Sequence, residues 1–586
     1  MRLCRITDSD SIAFALLRGG VGVSLHFEMY NISKLICSRR RVVDFTYDAA
    51  MFRDTFEHEF TWLNGFLRNV GRFAQSPALH SPADGRRWTY RELNADANRL
   101  AHALTADGIA RNSVIMYMLL NSPEFAFCYL AGHKTGAIGC PVNYRLAPGE
   151  LALIIDDSEP EVFFYDSDFA ETARQALDFA RHKPRRVVVV GKGASARSGD
   201  TPYADYVDGM PESDPVRPDR PHIYDETVRL YTSGTTNRAK AVPINSINEV
   251  LSAHDVMMHF PLNATDRTMN MTPWFHRGGL HSGGLTPTLY AGGEVVILRE
   301  FNPRRCLAFA QEQRVTFLIG VPSIIALLAR AQERAPADLS SLRGIVTMGS
   351  PFEKSACEKY RELFTPNIFN GYGTTETFWN TFLRPYNLPE MAGSAGQACT
   401  DDDVRVVKIR EDGHAEPTEL AAKDNAEVGE IIIKSPAKSA CCYVNNPEMT
   451  ARKFYKGYHY TGDLGTWDEN ECVTVVSRKD DMIICAGENI YPTQIEAVLN
   501  EYPKVAESAV VGMPDRLHGQ CVAAYVVPSD GSLSVEELKA YCVGHPMLPS
   551  YKRPRFYTLV KELPHTATGK LLHYKLRERA ARDAHD

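Results

Sequence analysis

The sequence predicts an α/β protein, with a large N-terminal domain built on mostly parallel sheets and a small mobile C-terminal α/β lobe. Apolar runs of strand length alternate with amphipathic helical segments along most of the 586 residues, which is the pattern of parallel strands joined by covering helices. The length exceeds that of one ordinary domain. Four charged residues at 478–481 interrupt an apolar context. We therefore expect an extension at 1–50, a large domain at 51–479 and the lobe at 480–586.

Periodicity predicts the individual elements. Apolar residues recur on one helical face between 93 and 104, and the apolar run 114–120 has the length of a buried strand. The string NSPE at 121–124 indicates a turn followed by a helix start. The stretch 192–221 is rich in Gly, Ser, Asp and Pro, and is predicted to be a surface loop. Further strands are predicted at 187–190, 295–298, 344–348, 509–512 and 522–527, with a helix at 534–542.

Composition restricts the class of protein. The net charge is −7 and the pI is about 6.2, so no basic excess points to nucleic acid. The thirteen cysteines include no C-x-x-C pair, which favours reduced thiols in a cytoplasmic protein over disulfides or a zinc site. No apolar run reaches the ~18 residues of a membrane helix, and the broken apolar stretch 11–27 does not fit a signal peptide. A homodimer is left open.

A hydroxyl- and glycine-rich loop follows the strand-like run 228–230. Its residues are Thr232, Ser233, Gly234, Thr235 and Thr236, and Lys240 follows shortly after. Hydroxyl groups, backbone N–H groups at a glycine bend and an ammonium ion can together bind a phosphate. The string is not a Walker loop. By itself, an ordinary polar loop explains this composition about equally well.

Two further segments carry groups that suit a nucleotide. Residues 370–377 read NGYGTTET, in which Glu376 is a hard ligand for Mg²⁺, Thr375 can donate to a phosphate and Tyr372 offers a flat face to a base. By itself, an ordinary helix start is the favoured interpretation of that string. Residues 460–464 read YTGDL, and Asp463 on a tight turn can accept hydrogen bonds from two ribose hydroxyls. A plain turn aspartate is the alternative.

These segments resemble the signatures of the adenylate-forming superfamily, which contains acyl- and aryl-CoA ligases, stand-alone adenylating enzymes and luciferases. Residues 232–241 are similar to its T-S-G-T-T-G-x-P-K-G loop, with Asn237, Ala239 and Ala241 as departures. Residues 372–376 and 460–464 resemble its Y-G-x-T-E and Y-x-T-G-D-L segments. The resemblance implies that Asp463 binds ribose, that Arg478 adds a nearby cation, and that Thr375 acts at the α-phosphate. It assigns Mg²⁺ to Glu376 and Thr236, and the other nucleotide contacts to Gly371, Tyr372, Gly373 and Thr374.

The resemblance extends to the C-terminal segments. Residues 566–570 read TATGK, and the match implies that Lys570 stabilises the charge that develops on the phosphoryl oxygens, an effect of about 10²–10³-fold on rate. His565 stands where the family has Lys or Arg. The resemblance also implies that Asp480 is the hinge of a domain rotation and that Gly487 lines the thioester-forming tunnel. From the residues alone, 477–484 would be a solvated linker.

The string TPWFHRGGL at 272–280 resembles the P-x-x-H segment of acyl- and aryl-CoA ligases. His276 is predicted to orient the substrate carboxylate or to gate the pocket, with a satisfied core histidine as the alternative. The candidate pocket residues are Trp274, His276, Gly279, Gly283, Gly349 and Ser350. We expect larger residues at Gly279 or Gly283 to exclude bulky acids. The absence of an F-D motif argues against an amino-acid substrate.

The resemblance covers roughly residues 60–580 in six ordered segments. It implies a carboxylic acid–CoA ligase that converts acid, ATP and CoA into acyl-CoA, AMP and diphosphate through an acyl-adenylate, with Mg²⁺. The aromatic residues around 274 and 378 favour an aromatic or otherwise bulky acid. Three alternatives stay open: an adenylating enzyme that loads a carrier protein, a luciferase-like oxygenase and a non-catalytic nucleotide-binding relative.

Overall fold

The computed structural model describes residues 48–191, 199–217, 219–232, 239–349, 352–410, 413–485, 488–515, 519–545, 548, 550–565 and 571–584. The chain divides into two compact units, Met1–Asp54 and Thr55–Asp586. In the first unit, the Asp48 side chain accepts hydrogen bonds from the backbone N–H groups of Ala50 and Met51 and caps a helix. The sheets and the candidate site belong to the second unit.

The helices follow in chain order. They are α1 (Ala49–Glu59), α2 (Trp62–Arg72), α3 (Tyr90–Ala106), α4 (Pro123–Thr135), α5 (Pro148–Ser158), α6 (Ala170–Phe179), α7 (Tyr203–Val207), α8 (Ser246–His259), α9 (Arg277–His281), α10 (Leu285–Ala291), α11 (Pro303–Glu312), α12 (Pro322–Arg334), α13 (Lys354–Leu363), α14 (Pro447–Lys453), α15 (Pro492–Asn500), α16 (Val535–Gly544) and α17 (His573–Asp583). None of these described helices is both long enough and apolar enough to cross a membrane.

The strands are β1 (Pro77–Ser81), β2 (Arg86–Thr89), β3 (Val114–Met118), β4 (Ile138–Pro141), β5 (Val162–Asp166), β6 (Arg186–Val190), β7 (Thr201–Pro202), β8 (Glu226–Thr232), β9 (Lys240–Asn245), β10 (Arg267–Asn270), β11 (Glu294–Val296), β12 (Phe317–Gly320), β13 (Gly344–Met348), β14 (Ile368–Thr374), β15 (Phe378–Leu383), β16 (Gln397–Ala398), β17 (Asp403–Val407), β18 (Gly429–Lys434), β19 (Phe454–Tyr455), β20 (Tyr458–Trp467), β21 (Val473–Arg478), β22 (Ile483–Cys485), β23 (Glu488–Ile490), β24 (Val505–Asp515), β25 (Gly519–Pro528) and β26 (Phe556–Leu559).

Two large, mostly parallel sheets form the N-terminal part. One has the strand order β16-β15-β14-β13-β12-β10-β11-β1-β2, and the other β7-β6-β5-β3-β4-β8-β9. The antiparallel pairs lie at the sheet ends, for example β8 with β9 and β14 with β15. Strands such as β3, β5 and β13 are buried at every position, because helices cover both faces of a parallel sheet. The predicted fold class is therefore confirmed.

Helices α3 and α4 lie in the core between the two sheets. One continuous hydrophobic cluster joins Leu79 and Val295 of the first sheet to Ile115 and Val162 of the second through these helices. The sequence specifies where both helices begin. Thr89 forms a capping box with Glu92 before α3, and Ser122 accepts from the Phe125 N–H before the Pro123 start of α4. The predicted helix start at 121–124 is confirmed.

The predicted surface loop at 192–221 is wrong in part. Its described residues include β7 and α7, and the side chain of Tyr206 in α7 is buried. Its ring packs against Phe164 at 6.1 Å between centroids, and its hydroxyl donates to Asp107 at 2.9 Å. Tyr203, Val207 and Met210 also pack on this core, so several apolar side chains order a segment whose composition is that of a loop.

Two smaller sheets complete the C-terminal part. The first pairs β17-β18-β20-β19 and adds β21 to β20. The second, β23-β22-β25-β24, carries β26 parallel to β25 and packs against α15 and α17. The strands predicted at 509–512 and 522–527 are parts of β24 and β25, and the helix predicted at 534–542 is α16. This small α/β lobe follows the charged residues at 478–481.

Candidate active site

The carboxylate of Asp463 lies at the centre of a polar cluster formed by three strands. Asp463 on β20 and Arg478 at the end of β21 are cross-strand partners, and a guanidinium nitrogen lies 2.8 Å from the carboxylate. The Tyr372 hydroxyl, from β14 of the large sheet, donates to the other carboxylate oxygen at 2.9 Å. The Asp463 charge raises the pKa of Arg478, and burial raises the pKa of Tyr372. Both donors therefore keep their protons at neutral pH.

Glu376 forms the second carboxylate of the cluster. Its side chain accepts a hydrogen bond from the Tyr443 hydroxyl at 2.5 Å and lies 3.9 Å from the His459 imidazole. Burial alone would raise the pKa of Glu376, but His459, Tyr443 and the ammonium group of Lys240 outweigh it, so the pKa lies below its ordinary value. Burial lowers the pKa of His459 to about 4. Glu376 is therefore an ionised oxygen donor beside a neutral imidazole.

A connecting segment, Ala440 to Val444, fixes Glu376 and Lys240 relative to each other. The Ala440 N–H donates to the Glu376 carbonyl oxygen at 2.7 Å, and the Val444 N–H donates to the Ala241 carbonyl oxygen at 3.0 Å. The Lys240 ammonium lies 5.5 Å from the centroid of the Tyr443 ring, within cation–π range. Burial lowers the pKa of Lys240.

The predicted phosphate loop begins and ends at described residues. Thr232 and Lys240 are cross-strand partners at the ends of β8 and β9. The other members of the prediction, Ser233, Gly234, Thr235 and Thr236, lie outside the described residues, as do Ser350, Gly487 and Lys570. Of the predicted nucleotide residues, the structure brings together Lys240, Tyr372, Glu376, Asp463 and Arg478.

A cavity of about 180 Å³ lies next to this cluster. One end is formed by the TTE turn after β14. The remaining wall is formed by residues of β13, β14, β15 and α9, together with Thr272 and the start of α12. Several predicted residues line it: His276, Gly279, Gly349, Gly371, Gly373, Thr374 and Thr375. Apolar wall is added by Val321, Met348, Phe378 and Trp379. The Gly371 position is close to the Trp379 indole, so that a Cβ atom there would lie 2.9 Å from Nε1.

Asn270 holds the glycine-rich wall of the cavity in place. Its buried amide nitrogen donates to the backbone carbonyl oxygens of Gly278, Gly279 and Ser282 at 2.9–3.2 Å. The neighbouring His276 is partly buried, and desolvation of its ring lowers its pKa to about 4. Its Nε2 atom has no hydrogen-bond partner among the described residues. His276 is therefore a neutral imidazole with an unused polar atom at the cavity wall.

Two predicted pocket residues do not line the cavity. The Trp274 ring packs edge-on against Phe125 at 5.5 Å between centroids, and its backbone N–H donates to Asn121. Gly283 has φ +74°, and a Cβ atom there would lie 2.9 Å from the Ile319 side chain. Gly279 does line the cavity, but a Cβ atom would lie 1.9 Å from the Pro273 carbonyl oxygen. Larger residues at Gly279 or Gly283 would therefore disturb the backbone instead of narrowing the pocket, which corrects the expected substitutions.

Arg277 and Lys438 are buried cations beside the cavity. Arg277 donates to the backbone carbonyl oxygens of Thr375 and Lys438 at 2.5 and 2.7 Å. The Lys438 ammonium lies 2.8 Å from Asp255 and 2.8 Å from Asp402, and it donates to the Trp379 carbonyl oxygen at 2.7 Å. Burial alone would lower the pKa of Lys438, but its acidic neighbours raise it. The ion triad of Lys438, Asp255 and Asp402 therefore holds two parts of the cavity wall, Arg277 through the Lys438 carbonyl oxygen and Trp379 through the Lys438 ammonium group.

Glu249 on α8 is fully buried behind α9. Its carboxylate accepts hydrogen bonds from Tyr129, His133 and Thr227, each at 2.6 Å, and His281 of α9 lies 3.5 Å away. Burial alone would raise the pKa of Glu249, but His133 and His281 hold it well below its ordinary value. The charge is thus satisfied inside the core and supports the helix that bears Arg277.

Comparison with known proteins assigns this chain to a protein family. The model of the AMP-binding enzyme family matches residues 66–443, and that of the AMP-binding enzyme C-terminal domain matches 494–570. This chain is an AMP-binding enzyme. It belongs to the acyl- and aryl-CoA ligase branch of the adenylate-forming superfamily, as the sequence resemblance implied.

Three relatives illustrate the similarity. An indoleacetate–CoA ligase of Aromatoleum aromaticum is 32% identical over 524 residues, which cover 88% of this chain and 97% of the relative. The fatty acid–[acyl-carrier-protein] ligase ScoC of Streptomyces coeruleorubidus is 30% identical over 514 residues, or 86% and 94% of the two chains. The structure of o-succinylbenzoate CoA synthetase from Bacillus subtilis, in complex with ATP and magnesium ion, gives a TM-score of 0.75 at 26% identity, with coverages of 88% and 99%.

The AMP-binding enzyme is an AMP-forming acid–CoA ligase and uses ATP, Mg²⁺ and CoA. The residues available for Mg²⁺ fit that ion, because Glu376 is an ionised carboxylate with one close hydrogen-bond donor and lies beside a neutral histidine. The roles of the individual residues remain predictions from the motifs.

Sequence reasoning missed three residues of the AMP-binding enzyme's site. Arg277 follows His276 directly, and its charge within an otherwise aromatic and glycine-rich string was the available signal. Tyr443 and Lys438 carry no local signal, since they reach Glu376 and Asp255 only through tertiary structure.

Proposed function

We propose that this ligase activates an aromatic carboxylic acid through an acyl-adenylate and transfers the acyl group to CoA. The observation that carries the proposal is the continuity of the cavity. It runs from the TTE turn at Thr374 and Thr375 to the stacked rings of Phe378 and Trp379, whose centroids are 4.9 Å apart. An aromatic ring can pack on that wall while its carboxylate faces the nucleotide motif. The relatives that act on indoleacetate and o-succinylbenzoate agree with this choice.

In the first step, a carboxylate oxygen of the acid attacks the α-phosphorus of ATP and diphosphate leaves. Neutral His276 would orient the carboxylate without pairing its charge, and Lys570 would stabilise the charge on the phosphoryl oxygens. Asp463 would bind the ribose, with Arg478 beside it. Glu376 would hold Mg²⁺, which supplies further neutralisation of phosphate charge. Lys240 and the hydroxyl loop would bind the leaving phosphates.

In the second step, the CoA thiol attacks the acyl carbon and AMP leaves. We propose that the lobe from 480 onward rotates about Asp480 between the two steps. Asp480 is exposed, and its carbonyl oxygen accepts from Arg577 of α17 at 2.8 Å, so the lobe's last helix contacts the proposed hinge. A rotation there requires only a few residues to change φ and ψ.

A diphosphate-release screen tests the acid. Aromatic acids such as indoleacetate and benzoate derivatives should release diphosphate faster than short aliphatic acids, and thioester should appear only when CoA is added. Faster turnover of the aliphatic acids would contradict the aromatic assignment.

The relative ScoC is a fatty acid–[acyl-carrier-protein] ligase, so a carrier protein is the alternative acceptor to test against CoA. Supplying holo carrier protein and CoA in competition separates the two. Diphosphate release without acyl-CoA, but with acylated carrier, would select the carrier. We place the reaction in the cytoplasm, because ATP and CoA are available there; the eleven cysteines among the described residues are free thiols.

A further inference from the structure

Arg277 is the cavity-wall residue whose chemistry the proposed reaction does not use. Its side chain is buried, with 3% of the residue exposed. The guanidinium lies over the Phe378 ring, 5.4 Å from its centroid. Its two terminal nitrogens donate to the carbonyl oxygens of Thr375 and Lys438, and its Nε atom has no hydrogen-bond partner among the described residues.

Other buried cations in the described part of the chain have a carboxylate partner. Lys438 pairs with Asp255 and Asp402, and Lys134 lies 2.9 Å from Asp214. Within ion-pair distance of Arg277, by contrast, the described residues provide no carboxylate. Glu376, Glu249 and Asp402 act on it only from farther away.

An unpaired buried cation is costly, because two carbonyl oxygens do not cancel its charge. Burial lowers the pKa of Arg277 to about 9, so the guanidinium stays protonated at neutral pH. Hydrogen bonds to the Thr375 and Lys438 carbonyl oxygens require N–H donors but no net positive charge. The charge therefore needs an explanation beyond this bridge between the two carbonyl oxygens.

The bridge holds the guanidinium at the cavity. Lys438 is itself fixed by its two aspartates, so its carbonyl oxygen is a rigid acceptor for Arg277. The Thr375 carbonyl oxygen holds the other terminal nitrogen. Because both ends are anchored, the cation is preorganised for an anion that enters the cavity.

We propose that the acid carries a second anionic group, a carboxylate that is not activated, and that Arg277 binds it. This inference rests on the proposed function, since it concerns the acid in the same cavity. The reacting carboxylate is a poor candidate for Arg277, because a close guanidinium would reduce its nucleophilicity toward phosphorus. Neutral His276 can orient the reacting group without that penalty. A second carboxylate supplies the missing counter-charge.

The test compares dicarboxylic acids with their own monoesters. The isomeric carboxyphenylacetates and benzenedicarboxylates are assayed against the corresponding monomethyl esters, with diphosphate release and acyl-CoA as readouts. We expect kcat/KM to favour at least one diacid isomer over its ester by about 10–100-fold, as for hydrogen bonds to charged groups. Arg277→Met should remove that preference, so that kcat/KM falls about 10–100-fold further for the diacid than for its ester, while Arg277→Lys should keep part of the preference.

Arg405→Met is the matched control. Arg405 also lies over an aromatic ring, Tyr458, and donates to a backbone carbonyl oxygen, but it pairs with Asp403 and does not line the cavity. The control should leave the diacid preference unchanged. ATP binding, measured by calorimetry, confirms that each variant is folded.

Three results would overturn the inference or its basis. A wild-type enzyme that uses every diacid no better than its ester has no second-carboxylate site. An equal loss on diacid and ester in Arg277→Met would assign Arg277 to the reacting carboxylate or to structure. Diphosphate release with no acid at all would refute the proposed function itself. The first two results would refute only the second-carboxylate site and leave the proposed function standing.

Discussion

The nucleotide cluster and the acyl cavity adjoin each other but differ in how their polar groups are satisfied. In the cluster, Asp463 has Arg478 and Tyr372 as partners, and Glu376 has Tyr443. At the cavity, polar atoms of His276, Arg277 and Ser282 lack partners among the described residues. The carboxylates of the first region are paired within the protein, although both ring nitrogens of its His459 also lack partners among the described residues. The cavity differs because its set of unpartnered groups includes a buried cation, Arg277, and we propose that the acid completes it.

The largest effect is expected on the stability of the protein, when the buried Glu249 network behind the cavity is removed. Glu249→Ala would remove the buried acceptor of Tyr129, His133 and Thr227, and should lower the free energy of unfolding by about 3–5 kcal/mol. Urea unfolding measures it. The exposed Glu362, on α13, provides the control variant Glu362→Ala, which should change little. Similar small changes in both variants would show that the buried network is not needed for stability.

The same network predicts a pH dependence. The pKa of Glu249 is lower in the folded protein than its ordinary value, so its contribution to stability is complete above the unfolded pKa of about 4.3 and is lost as the pH falls below it. The difference in unfolding free energy between wild type and Glu249→Gln should therefore shrink as the pH is lowered toward 4 and below. A constant difference from pH 7 to the acid limit would contradict the assignment.

Lys570→Ala tests the part of the nucleotide site that only the sequence predicts. Removing the ammonium should slow acyl-adenylate formation by about 10²–10³-fold, because charge on the phosphoryl oxygens loses a partner. Thioester formation from supplied acyl-adenylate should be spared. Single-turnover assays of each half-reaction measure the two rates. Equal losses in both would remove Lys570 from the first step.

Asp463→Asn tests whether the paired carboxylate also serves ATP. Since hydrogen bonds to charged groups contribute about 1.5–3 kcal/mol, KM for ATP should rise about 10–100-fold. Asp403 offers a close control, because it too pairs with an arginine, Arg405, and accepts from a tyrosine, Tyr458, on β20. Asp403→Asn should leave KM for ATP unchanged. An equal rise in both variants would indicate a structural effect alone.

The smallest effect concerns cavity shape. A Cβ atom at Gly278 would lie 3.0 Å from Met348 Sδ, at the end of a flexible side chain, so Gly278→Ala should narrow the cavity. Met348→Ala should widen it. Each change of a few atoms is worth about 1–3 kcal/mol in selectivity. The ratio of kcat/KM for a large aromatic acid to that for a small one should therefore fall in Gly278→Ala and rise in Met348→Ala. Movement in the same direction would show that Met348 does not limit acid size.

The difference between the two regions also explains which of their residues could be predicted from the sequence. The predicted nucleotide residues lie in short contiguous strings, so Lys240, Tyr372, Glu376 and Asp463 could be predicted without a structure. The cavity wall is assembled from β13, β14, β15, α9, the start of α12 and the turn after β14. In that region Trp274 was predicted and lies instead in the core, while Met348 and Val321 were not predicted and line the cavity.

The sequence alone determined the α/β class, the helix starts at Thr89 and Ser122, and the family, because periodicity, capping and motif strings are local properties. Only the tertiary structure decided which side chains line the cavity. Arg277 is a surface-type residue by composition, and its importance arises from burial, from the carbonyl oxygens of Thr375 and Lys438, and from the absence of a carboxylate partner among the described residues. Burial and charge balance depend on atoms brought together from distant positions, and no local pattern encodes them.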